Sequence, residues 1–223
     1  MRNFFRQFKF FGITLAILSV VIIYFIYDAL KPEPRLPIYT PAMVNPELVD
    51  STLHYQKKKA QIADFKLINQ NGDTITQKEY ANKIYIADFF FTTCPSICPI
   101  MTKNMAQIQD HILKDEDVLL LSHSVTPLID SVAQLKKYAL EKGVIDTKWN
   151  LVTGDKKQIY ELARKSYLAV KDDGDGGPFD MIHTENFILV DKERRIRGFY
   201  DGTNTDDIEK LLNDLDILRA AYE

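Results

Sequence analysis

The sequence predicts an α/β domain, a mixed sheet flanked by helices, behind an N-terminal transmembrane helix. Three observations carry that prediction. An eighteen-residue uncharged run, Phe10–Tyr27, lies near the start of the chain; nearly unbroken apolar runs such as Ile84–Phe91 then alternate with amphipathic segments; and strand-like pairs bracket the whole. At 223 residues, with 46% apolar and 26% charged residues, the chain is ordinary globular material rather than a disordered or disulfide-dense one. The net charge of −3 supplies no basic footprint, so no nucleic-acid partner is expected.

Residues 1–9 carry Arg2, Arg6 and Lys9 ahead of the apolar run, and only Lys31 follows it after Asp28. The positive-inside rule then leaves the N-terminus cytoplasmic and the rest outside. A cleavable signal would have a shorter apolar core and small residues at the cut, whereas Tyr24, Phe25 and Tyr27 crowd that position. Residues 10–30 are therefore expected to anchor the chain once across an inner membrane, with the following domain on the periplasmic or outer side. The lack of an Arg- and Ser-rich leader favours the bacterial case. Residues 31–46 hold five of the nine prolines and read as a semi-rigid spacer. Residues 47–223 form the domain.

Within the domain, residues 61–76 read as a hairpin turning at Asn71-Gly72. Ile84–Phe91 suits a central strand buried on both faces. Met101, Met105, Ile108 and Ile112 then fall on one stripe of a helix over 99–113. Asp117–Val125 is a second apolar strand, 131–142 a helix closed by Gly143, Trp149–Val152 a short strand and 155–168 a further helix. A terminal hairpin, 185–190 with 196–200, precedes a last helix over 205–220.

The only cysteines, Cys94 and Cys98, lie in Thr92-Thr93-Cys94-Pro95-Ser96-Ile97-Cys98-Pro99, between the central strand and the next helix. Pro99 fits a first helical position. A helix N-terminus favours thiolates, which redox chemistry and soft-metal binding both require. Two intervening residues would read as a thioredoxin-like redox motif; three permit a disulfide or a chelate. Thiolates select Cu(I), Zn or iron–sulfur clusters, and two sulfurs leave a site short of ligands. Of the four histidines, His54 reads as a surface residue, His111 lies three turns from the cysteines and His123 reads as a hydrogen-bonded core residue. His183 stands at a strand entry after the loop Asp172–Pro178, where it could complete a three-ligand site or serve the fold alone.

The segments FFFTTCPSICPIM (89–101), WNLVTGD (149–155) and IHTENFILVDKERRIRGFYDG (182–202) resemble the Sco/SenC family over roughly residues 47–220. The resemblance implies a thioredoxin-like fold and a membrane-anchored metallochaperone rather than an enzyme. It implies one copper, Cu(I) or Cu(II), on Cys94, Cys98 and His183. The implied partner is cytochrome c oxidase subunit II, whose dinuclear copper site receives the metal during assembly, with a thiol reductant or an upstream copper donor behind it. The alternatives are a thiol–disulfide reductase working through a Cys94–Cys98 disulfide, which keeps the oxidase cysteines reduced, and a thiol-based redox sensor or peroxidase. Ser96, Ile182 and Thr126 stand where many members carry acidic residues, so the negative charge around the site is reduced.

Asp88 lies six residues before Cys94 inside an apolar strand, the offset of a buried aspartate in thioredoxins; such a carboxylate has a raised pKa and would tune Cys98. Its plain alternative is a structural hydrogen bond. Met101 and Met105 read as core filler, Asp172–Gly177 as a flexible turn and Lys57–Lys59 as a solvated face.

Overall fold

The apolar run forms helix α1 (Lys9–Leu30), whose side chains are exposed wherever they are described. Its 22 residues reach about 33 Å at 1.5 Å each, enough for a bilayer core of about 30 Å. The window Phe11–Asp28 has the apolarity of a membrane span. The computed structural model describes residues 8–31, 35–44, 61–170, 177, 180–182 and 184–222. Expectations resting on His54, Lys57–Lys59, His183 and the 172–176 part of the Asp-Gly loop lie outside them.

Residues from Leu36 onward form a second compact unit, built on one seven-stranded sheet. Its strands are β1 (Lys66–Asn69), β2 (Thr74–Thr76), β3 (Ile84–Phe90), β4 (Val118–Ser124), β5 (Trp149–Thr153), β6 (Asn186–Val190) and β7 (Ile196–Asp201), in the order β2-β1-β5-β4-β3-β6-β7. β3, β4 and β5 run parallel at the centre, and every other pairing is antiparallel. All seven residues of β3 are buried, because helices cover both faces of the sheet at its middle.

One face carries α2 (Ile97–His111), α3 (Val132–Lys142) and α5 (Thr205–Ala220) over Ile84, Ile86, Leu120 and Leu151. The other carries α4 (Lys156–Glu161), which widens into a π-helical turn at Leu162–Ser166 and packs on Tyr85, Phe89 and Leu121. Ser131 caps α3 and the left-handed Gly143 ends it, while Asn204 caps α5. Met101 and Met105 are fully buried, as core filler should be.

Two local expectations shift. The first hairpin turns through residues 70–73 rather than two residues, with Gly72 at φ 85° and Leu67 opposite Ile75. Helix α2 begins at Ile97, so Pro99 is its third residue; the missing N–H is still one the first turn cannot use. Residues 36–39, within the predicted spacer, also meet β7. Tyr39 N–H donates to Ile196 O at 2.9 Å, and the Arg197 guanidinium donates to Pro37 O (2.9 Å) and Leu36 O (2.7 Å).

Candidate metal centre

β3 ends at Phe90, and a turn closed by the Cys94 N–H on Phe91 O (3.3 Å) delivers the first thiol; α2 then starts and presents the second. Both cysteines are free and buried, at 7% and 3% exposure. Their acidities diverge. Burial opposes ionisation of Cys94, but the backbone N–H groups of Cys98 and Ser96, joined by the side chains of Cys98 and Ser96, outweigh it and bring the thiol down to about 7. The Ser96 hydroxyl stands 3.8 Å from Cys94 Sγ. Burial pushes Cys98 up to about 12, against a backbone hydrogen bond from Phe91, with Cys94 and Asp88 adding repulsion. The sequence argument that the helix start favours both thiolates therefore holds for Cys94 alone. Cys98 sits too deep in the apolar layer under α2.

Beneath the thiols, Asp88 points to the same face as α2, since Ile84, Ile86, Asp88 and Phe90 alternate inward there. It is 3% exposed, and among the described residues its Oδ1 has no hydrogen-bond partner. Burial raises it to about 7 against a hydrogen bond with Ser122, its register partner on β4. Ser122 also accepts from Trp149 Nε1 at 2.8 Å, and Thr102 bonds Tyr138 at 2.7 Å within the same layer. Ser122, Thr102 and Tyr138 escaped the sequence reading; the available signal was a polar residue at an inward position of an otherwise apolar strand.

His123 is a core histidine, as expected. It is fully buried on the opposite face, stacked on Phe89 (4.8 Å), with Nδ1 3.2 Å from Asp88 O. His111 lies at the far end of α2, 3.7 Å from Asp216. His183 lies outside the described residues. Asp180, the nearest acid before it, is taken up in a buried two-point ion pair with Arg164, both contacts at 2.7 Å. Among the described residues no cluster of three or more His, Cys, Asp or Glu is arranged to hold a metal. The two thiols are a soft donor pair whose chemistry fits Cu(I).

Fold and site together define a thioredoxin-like domain with a dithiol at the end of its central strand. The chain belongs to the SCO1/SenC family, whose model matches residues 54–218. It is 30% identical over 157 residues to the SCO1 protein homolog of Bacillus subtilis (strain 168), spanning 70% of this chain and 81% of that protein. A solved structure of BsSco, described as a member of the Sco family of cytochrome c oxidase assembly proteins and possessing a disulfide switch, superposes with TM-score 0.61 at 29% identity, covering 71% of this chain and 92% of its own. Bradyrhizobium japonicum ScoI, solved with copper bound, superposes with TM-score 0.57 at 27% identity, covering 71% and 99%.

Proposed function

We propose that this protein is a membrane-anchored copper metallochaperone. It holds one copper ion, Cu(I) or Cu(II), on Cys94, Cys98 and His183 and passes it to the dinuclear copper site of cytochrome c oxidase subunit II, on the outer side of the membrane. The observation that carries this reading is the asymmetric dithiol: one thiol ionised near neutrality and one buried beside it, in a family with members solved with copper. Two sulfurs and one nitrogen leave a side open for ligand exchange with the acceptor. Cys98 must lose its proton to bind, and Asp88 is the buried carboxylate beneath it that ionises in the right range.

The same asymmetry favours a second reading, a thiol–disulfide reductase of the acceptor's cysteines. Cys94 thiolate would attack the acceptor disulfide and release one thiolate. Cys98, its proton passed to Asp88, would then displace the second acceptor sulfur, leaving a Cys94–Cys98 disulfide and two electrons on the acceptor.

Anaerobic Cu(I) titration of the full chain in detergent, against a competing chelator, separates the two. One tightly held copper per chain, weakened by both His183→Ala and Cys98→Ala, supports the chaperone. Binding indifferent to His183 overturns it and leaves the reductase.

A further inference from the structure

A carboxylate outside the dithiol holds the turn that presents it. Asp130 ends the β4–α3 connection and is fully buried, at 0% exposure. Its Oδ1 accepts from the Thr92 hydroxyl at 2.6 Å. Its Oδ2 accepts from the Thr92 backbone N–H (3.2 Å), the Ser124 hydroxyl (2.6 Å) and the Thr126 hydroxyl (3.0 Å). Thr92 Oγ1 accepts in turn from Gln134 Nε2 at 3.0 Å. Thr92 lies inside the turn that the Cys94 N–H closes on Phe91 O, two residues before the thiol.

A carboxylate taken fully out of water is tolerated only when donors surround it. Here they converge from three segments: the end of β4, the loop after it and the cysteine turn. Hydrogen bonds to a carboxylate are shorter and roughly twice as strong as neutral ones, so they fix geometry as well as adding stability. Two of the four fall on Thr92, one on its backbone and one on its side chain, which fixes both the position and the orientation of that residue. Among the described residues the Ser124 and Thr126 hydroxyls donate to the same carboxylate and make no hydrogen bond to the cysteine turn.

We propose that Asp130 is a positioning residue for the dithiol. By clamping Thr92 it sets where Cys94 stands relative to Cys98, and so how tightly the pair takes a metal and how readily it closes as a disulfide. The metal half rests on the function proposed above, while the disulfide half does not.

The test uses the full chain in detergent with four variants: Asp130→Ala, Asp130→Asn, Thr92→Val and Ser124→Ala. Two properties are read. One is Cu(I) affinity against a chelator. The other is the equilibrium with glutathione, in which the dithiol and oxidised glutathione give the Cys94–Cys98 disulfide and two reduced glutathiones, trapped by alkylation. Direct hydrogen-bond partners of metal ligands are worth about 10- to 100-fold in affinity; Asp130 and Thr92 act one step further out, so Asp130→Ala and Thr92→Val are expected to weaken Cu(I) binding by a few-fold to about tenfold. Both are expected to move the glutathione equilibrium as well. Asp130→Asn keeps an oxygen for the Thr92 N–H and turns an amide N–H toward Thr92 Oγ1, so it stays close to the parent in both readouts. Ser124→Ala costs stability and leaves both unchanged.

The proposal is overturned if Asp130→Ala and Thr92→Val match the parent, or if Ser124→Ala shifts either property as far as Thr92→Val does. Should Asp130→Ala fail to fold, the contrast between Thr92→Val and Ser124→Ala decides. Should the parent hold no Cu(I), the chaperone reading falls, and the glutathione equilibrium alone still decides the clamp.

Discussion

Asp88 and His123 sit on opposite faces of the sheet, on neighbouring strands, with the His123 ring against the Asp88 backbone carbonyl. Burial pushes the Asp88 carboxyl from 3.8 up to about 7, a hydrogen bond with Ser122 notwithstanding. Burial pushes His123 from 6.5 down to about 4, against the pull of the Asp88 carbonyl. Both groups are therefore neutral in the folded protein near pH 5.5, where an unfolded chain would carry both charges.

The signs are opposite. The folded state keeps the Asp88 proton up to about pH 7, while the unfolded chain releases it above 3.8, so this group's contribution falls as pH rises through that window. The unfolded chain protonates His123 below 6.5, whereas the folded protein resists until about 4, so this contribution falls as pH drops through that window. At about 1.36 kcal/mol per tenfold change in proton affinity, Asp88 is worth roughly 4 kcal/mol and His123 roughly 3 kcal/mol. These are large fractions of a typical 5–15 kcal/mol domain stability, yet they offset each other in the parent.

Single variants uncover them. In urea denaturation of a form beginning at Arg35, followed by Trp149 fluorescence from pH 4 to 8.5, the stability of Asp88→Asn relative to the parent should climb by roughly 4 kcal/mol between pH 4 and 7. Relative to the parent, His123→Phe should gain roughly 3 kcal/mol as pH falls from 6.5 to 4. A flat difference curve for either variant would refute the argument that burial holds that group neutral.

Three further outcomes follow from the site and its supports. In Cys98→Ser, alkylation of Cys94 by iodoacetamide should rise with a midpoint near pH 7, whereas in Cys94→Ser the buried Cys98 should stay unreactive to about pH 9; equal profiles would contradict the asymmetry. Arg164→Met breaks the buried two-point ion pair with Asp180, whose side chain is 8% exposed, and should cost about 3–5 kcal/mol in chemical denaturation, with Asp180→Leu added to it recovering most of the loss. Gly198→Ala places a methyl group against the Tyr200 ring, whose hydroxyl donates to Asp214 at 2.8 Å; it should cost about 1–3 kcal/mol, seen as a lowered melting temperature.

Most of the sheet was legible because its central strands are covered on both faces. Ile84–Phe90 and Val118–Ser124 read as nearly unbroken apolar runs, and their bounds fall within a residue of expectation. Helix α5 matched its predicted 205–220, and the Asn204 side chain caps its start. The π turn at Leu162–Ser166 was not legible: Ile159, Tyr160, Leu162 and Ala163 are apolar neighbours in any helical winding.

In the site, the spacing of Cys94 and Cys98 and the misplaced charge of Asp88 in an apolar strand were both visible. The split in thiol acidity was not, because it depends on depth of burial and on the direction of two backbone N–H groups. In the sequence Asp130 is one more polar residue ahead of a helix. Its inward turn toward Thr92 is a tertiary fact with no local signature.

The segment laid against β7 has a practical consequence for anyone separating the domain from the N-terminal apolar helix. At one margin of the sheet β2 is only three residues long, but at the other β7 runs for six, and residues 36–39 cover it through Tyr39 and Arg197. Removing that cover frees the Ile196 carbonyl and bares the open side of β7, the kind of margin that templates sheet-to-sheet association. Arg197 would then be left with Asp191 alone, at 3.0 Å. A soluble form beginning at Arg35 should stay monomeric in light scattering as its concentration rises, whereas one beginning at Asn45 should self-associate. The segment that looks like a spare tether is thus part of the finished margin of the sheet.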